Sequence, residues 1–188
     1  REMLLRPISL SLALLLTTAP VFAQTAPTPP AVTPTTTPRE TIEGTLSQER
    51  TVIGIPPLAT ASVQTVAGLR TDSLGRQIAE VIAADLERSG LYEPIGPNGV
   101  RAITRAEVQA PRFAEWQTRG AENVVHGFVD AGSNGSLIVG CYLYDTALGS
   151  ELVRKGFEIQ PADWRRAAHK CADAIYSRLS GEAPFFHS

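Results

Sequence analysis

The sequence predicts an α/β domain, a mixed β-sheet packed with helices. Three observations predict it. A β-branched run, Thr51 to Ile55, leads into an amphipathic helical repeat, and a second such repeat closes the folded part. Between them, three runs of strand character follow one another through short turn sequences over residues 123–160. A strand followed by a helix returns to a parallel neighbour, whereas turn-linked strands pair antiparallel, so both senses meet in one sheet.

In chain order, Thr51-Val52-Ile53-Gly54-Ile55 reads as a buried strand stopped by Pro56-Pro57. The spacing then predicts a helix from Leu74 to Ser89, capped by Asp72 or Ser73, with Leu74, Ile78, Val81, Ile82 and Leu86 on one face. Gly90 supplies its left-handed C-cap and Leu91 folds back onto the last turn. A short strand over Tyr92 to Ile95 ends at the turn Gly96-Pro97-Asn98-Gly99. Pro111 to Arg119 is a brief helix that sets Phe113 and Trp116 on one side. Strands over Asn123–Ala131, Ser136–Asp145 and Glu151–Gln160 form a meander, turning at Gly132–Gly135 and Ala147–Ser150. The last helix, Ala162 to Ser180, opens near Pro161 and closes at Gly181, with Trp164, Ala168, Cys171, Ile175 and Leu179 on its apolar stripe.

What folds is shorter than the 188 residues. After Arg1 and Glu2, read as upstream of a start at Met3, Arg6 precedes the apolar stretch Ile8 to Leu16 and the small-residue segment Ala19 to Ala23. That order predicts a signal peptide over residues 1–23, cleaved after Ala23, because the apolar stretch is too short to span a bilayer. No cysteine just after the site offers a lipid anchor, so an exported protein with no membrane span in its mature form is expected. Residues 24–38, with five Pro and six Thr and no charge, read as a disordered spacer.

Charge and composition exclude several functions. With 17 Lys+Arg against 19 Asp+Glu there is no cationic surplus for nucleic acid. Two cysteines and three scattered histidines, His126, His169 and His187, have no metal-ligand spacing. No G-x-S-x-G elbow, phosphate-cradling glycine loop or C-x-x-C pair is present, so neither a cofactor nor an enzyme is expected. Counting by twos puts Cys141 on the face of Leu137, Val139 and Leu143, and Cys171 lies on the helical stripe. The two are either bridged as a disulfide, which an oxidising compartment would preserve, or two buried thiols. Glu40-Thr41-Ile42-Glu43-Gly44-Thr45-Leu46, between the spacer and the first strand, alternates apolar and polar residues. It is either a strand offered to a partner's sheet edge or an edge strand of its own domain.

Three stretches, Ile78 to Ile95 (IAEVIAADLERSGLYEPI), Pro111 to Gly127 (PRFAEWQTRGAENVVHG) and Asp163 to Phe186 (DWRRAAHKCADAIYSRLSGEAPFF), carry a resemblance to the amino-terminal domain of the TolB family. The resemblance runs from about Glu40 to the end. It implies an anticodon-binding-domain-like α/β fold over residues 51–182 and a non-enzymatic periplasmic role in the Tol-Pal system. A partner-binding segment over residues 39–50 follows from it, since the family's TolA-binding box maps by position onto Glu40 to Leu46, the partner being the TolA C-terminal domain. In such proteins this domain precedes a β-propeller that binds Pal, and residues 183–188 would start the linker to it. A propeller blade takes about 40 to 50 residues, so Pal binding is expected only of a chain that carries the propeller, and this sequence reads as the front part of one. Outer-membrane invagination during cell division, envelope integrity and import of some colicins are the processes implied. A stand-alone envelope accessory protein, such as an activator of a peptidoglycan synthase, and a small periplasmic enzyme are the competing readings.

Overall fold

The computed structural model describes residues 49–186. The candidate segment Glu40 to Leu46, the leader and the spacer lie outside the described residues. The elements are β1 (Thr51–Gly54), β2 (Thr65–Val66), β3 (Leu69–Arg70), α1 (Thr71–Arg88), β4 (Tyr92–Ile95), α2 (Phe113–Thr118), β5 (Asn123–Ala131), β6 (Leu137–Asp145), β7 (Ser150–Ile159) and α3 (Trp164–Ser180). Short 3₁₀ turns occur at Ala106–Val108, Ser133–Gly135 and Pro161–Asp163.

The sheet runs β4-β1-β5-β6-β7, and β2 and β3 form a separate two-stranded hairpin. β1 pairs parallel with both β4 and β5. The pairs β5–β6 and β6–β7 are antiparallel, so the expected mixed sheet and meander are what the chain forms. Successive residues of a strand point to opposite faces, which divides the core in two. On one face Ile53, Val125, Val129, Val139, Cys141 and Leu143 pack under α1 and α3, meeting Leu74, Ile78, Ile82, Leu86, Ala168, Cys171 and Ile175. On the other, Val124, Tyr142 and Tyr144 pack beneath Ile103, Val108 and Trp116 from the segment between β4 and β5. Gly54 makes this second layer possible, because a Cβ there would collide with the Trp116 ring.

Local differences from expectation have physical causes. α1 begins at Thr71, three residues before the expected Leu74, and no side chain caps it. Asp72, expected as a cap, lies in the first turn, where a carboxylate suits the helix dipole and pairs with Arg70 at 2.8 Å. The start is set by tertiary bonds instead: the Thr71 amide donates to the Gln64 carbonyl (2.9 Å), and the Gln64 amide donates to the Thr71 hydroxyl (3.1 Å). Pro161 opens a 3₁₀ turn, so α3 proper starts at Trp164 rather than Ala162. The helix closes on Gly181 in the left-handed region (φ 76°), as the sequence predicts.

Candidate functional site

Among the described residues, two clusters built on buried ionisable groups lie one on each side of the sheet, with Asp173 buried apart from them. On the second face, the Ala106–Val108 turn carries Glu107 inward, with 8% of its surface exposed. Its carboxylate accepts from Arg101 at 2.6 and 3.0 Å, from Arg112 at 2.7 Å and from the Thr104 amide at 2.8 Å. Glu115 bonds the same two arginines at 3.1 Å each. The bond from Arg101, then that from Thr104, holds the Glu107 carboxyl at about 2, well below the usual range. Beneath it His126 is buried on β5 and donates from Nδ1 to the Glu107 carbonyl oxygen at 2.7 Å. Burial pulls this imidazole down to about 4, so it is neutral at pH 7. Trp116 and Tyr144 flank the ring edge to face, and the Tyr144 hydroxyl donates to the Val108 carbonyl at 3.0 Å. This arrangement clamps the segment between β4 and β5 onto the sheet.

On the first face, Asp85 of α1 is buried, with 1% of its surface exposed. It meets Nδ1 of His169 on α3 at 2.6 Å and also binds Arg88. A groove of about 590 Å³ runs over this junction, lined by Val81, Ala84, Arg88, Trp164, Arg165 and His169. Asp85 falls seven residues after Ile78 on the apolar stripe, a legible sign that it needs a cationic partner; the identity of that partner is a tertiary fact.

Cys141 of β6 and Cys171 of α3 are joined as a disulfide, their Cα atoms 6.2 Å apart. The cysteines are therefore committed to tying the helix layer to the sheet. At the C-terminal end Asp173 accepts from the amides of Phe185 and Phe186 at 2.9 and 2.8 Å, and Tyr176 packs against both rings. Residues up to 186 thus fold back on α3, a contact that sequence reasoning missed.

A general base must reach a nucleophile within hydrogen-bond distance. The ring nitrogens bonded here reach a backbone carbonyl, for His126, and a carboxylate, for His169. Among the described residues no three His, Cys, Asp or Glu gather as a metal site, and no helix is long and apolar enough to cross a membrane. The fold and its ion clusters define a mixed α/β domain whose buried charges fix layers to one another.

The chain belongs to the family of the TolB amino-terminal domain, whose model matches residues 44–152. It is 89% identical over 186 residues to the Tol-Pal system protein TolB of Sphingopyxis alaskensis, an alignment covering 99% of this chain and 41% of that protein. With the Tol-Pal system protein TolB of Zymomonas mobilis subsp. mobilis it shares 49% identity over 151 residues, 80% of this chain and 32% of that one. The chain therefore spans about two-fifths or less of the length of these relatives. Among solved structures, the crystal structure of TolB from Acinetobacter baumannii shares the fold, with a TM-score of 0.57 at 22% identity, over 74% of this chain and 30% of that one.

Proposed function

We propose that the chain acts as a non-enzymatic, periplasmic protein-interaction module of a Tol-Pal system. In this reading it is exported by a leader cleaved after Ala23 and binds the TolA C-terminal domain through Glu40 to Leu46. The observation that carries the reading is membership of the TolB amino-terminal domain family, with 89% identity to a Tol-Pal system protein. The bonding of buried His126 and half-buried His169 into the fold supports a role without catalysis. The segment contributes main-chain donors and acceptors to the edge of a TolA sheet, with Ile42 and Leu46 as apolar contacts. Through this link the module supports outer-membrane invagination and envelope integrity, while Pal binds the β-propeller of longer relatives.

Titration of the exported chain against the TolA C-terminal domain, with and without residues 39–46, tests the assignment. The intact chain is expected to bind and the shortened one to lose at least tenfold in affinity, about 1.4 kcal/mol. Equal affinity of the two would remove the role of the segment.

A further inference from the structure

Among the described residues, the outer edge of β7 is the long open edge of the sheet. The opposite edge, β4, is four residues long and contains Pro94, which lacks an N–H to donate. β7 has ten residues and no proline. Which of its main-chain groups face outward follows from the pairing. The Gly127 carbonyl accepts from the Ala59 amide (2.9 Å) and the Val129 amide donates to the Ala59 carbonyl (2.8 Å), so these β5 residues point away from β6 and Phe128 points toward it. Phe128 opposes Gly140, and Gly140 opposes Gly156. Because direction alternates along each strand, Gly140 bonds β5, Val139 and Cys141 bond β7, and the groups of Arg154, Gly156 and Glu158 point to the open side. At the start of β7, Arg178 donates to the Leu152 carbonyl (3.3 Å), which limits the open stretch to residues 154–158.

Gly156 lies at the middle of that stretch. A glycine inside a strand weakens it and marks a bulge, a bend or a close approach by another backbone. The bulge here is elsewhere, at Leu143/Tyr144, and no atom of the described residues lies within 4 Å of where a Gly156 Cβ would sit. Gly140, by contrast, is explained from within, since a Cβ there would strike the Phe128 ring.

We propose that β7 pairs antiparallel with β7 of a second copy of this chain, about a two-fold axis at Gly156, joining two five-stranded sheets into one. In this register Gly156 faces Gly156 of the second copy, and the outward groups of residues 154, 156 and 158 close about six hydrogen bonds. Arg154 then opposes Glu158 of the second copy, and Glu158 opposes its Arg154, on one face. Lys155 opposes Phe157, and Val153 opposes Ile159, on the other. A two-fold pairing keeps opposed residues on one face, so the register moves only in steps that change its centre by one residue. Centring on Arg154, Lys155 or Glu158 sets a charge against its own copy. Centring on Phe157 opposes Arg154 to Gln160 and Lys155 to Ile159. Of the centres within the open stretch 154–158, only Gly156 matches opposite charges, and opposed pairs of this kind favour association while like pairs oppose it. The pairing surface is smaller than that of a standard stable complex, so the dimer is weak, with a dissociation constant on the order of 0.1 mM.

Sedimentation equilibrium of the full chain tests this. The chain is expected to dimerise with rising concentration; Arg154→Glu should weaken the dimer by about tenfold or more, and the exchange Arg154→Glu with Glu158→Arg should restore it. In a hydrogen-bonded antiparallel pair the Cα atoms are about 5.5 Å apart, within the span of a disulfide. Mild oxidation should therefore link Gly156→Cys to its own copy and leave Lys155→Cys monomeric. A chain that stays monomeric at about 1 mM, a dimer indifferent to Arg154→Glu, a charge exchange that restores nothing, or equal linking at 155 and 156 would overturn the proposal. A monomeric Gly156→Cys whose thiol resists a small alkylating reagent would overturn it in favour of an edge covered by another stretch of the same chain.

Discussion

His126 and Glu107 are adjacent in space, yet they titrate in different windows. An exposed imidazole has a value near 6.5, and burial lowers that of His126 to about 4. Between those values the unfolded chain binds the proton and the folded chain does not, so stability is fully present above about pH 6.5 and falls as pH drops toward 4. The shift corresponds to about 3 kcal/mol. Glu107 goes from an ordinary 4.5 down to about 2, so its contribution is present above about pH 4.5 and lost as pH falls toward 2. Replacing His126 by Gln keeps a donor for the Glu107 carbonyl and removes the ionisation. Urea unfolding between pH 7 and 4 should then show a shallower loss of stability than the parent, whatever the variant's absolute stability at pH 7. Parallel curves for the two proteins would remove His126 as the source.

At the scale of elements, the bond between Cys141 and Cys171 joins β6 to α3 across a sequence separation of 30. Closing such a loop restricts the unfolded chain by about 3 to 4 kcal/mol in the chain-entropy account. Mass spectrometry should record a gain of two hydrogens on reduction, and reduced protein should unfold at correspondingly lower urea; two free thiols in the purified chain would refute the bond. Both sulfurs could be placed in the core from sequence because strand and helix periodicities differ: one counts by twos along β6, the other by threes and fours along α3. The same periodicities carry β5 through β7 and both long helices. The β2–β3 hairpin is invisible to them, with two residues in each strand and the turn Ala67-Gly68 at φ 47° and 81°. An Ala stands where Asn or Asp marks such turns, so composition gives no signal. The start of α1 depends on that hairpin, which is why Asp72 and Ser73 misled the expected boundary. The ion clusters were illegible as partnerships, since Asp85 and His169 are 84 residues apart and only packing of α1 on α3 brings them together.

For the whole molecule, two cores on opposite faces raise the question of whether they come apart separately. The helix-side core is much the larger, and the other rests on a segment whose only regular elements are α2 and one 3₁₀ turn. Cooperativity is nonetheless required by the sheet. Alternate residues of β5 and β6 serve opposite cores, Val125 and Leu143 on one side, Val124 and Tyr144 on the other, so neither core can lose its floor without the other. The two tryptophans report on the two sides. Trp116 is buried over Gly54 in the smaller core, while Trp164 flanks the larger one beneath Arg165, whose guanidinium carbon lies 4.5 Å from the ring centroid. With Trp164→Phe, fluorescence follows Trp116 alone; with Trp116→Phe it follows Trp164. The second change removes packing volume from a buried site and should lower stability by about 1 to 3 kcal/mol, so each variant must be judged against its own circular dichroism. In each, the fluorescence and dichroism transitions in urea are expected to coincide, as they do for one cooperative unit. A Trp116 signal lost well before the dichroism would mean that the segment between β4 and β5 unfolds on its own, and that the clamp of Arg101, Glu107 and Arg112 is a local fastening rather than part of the common fold.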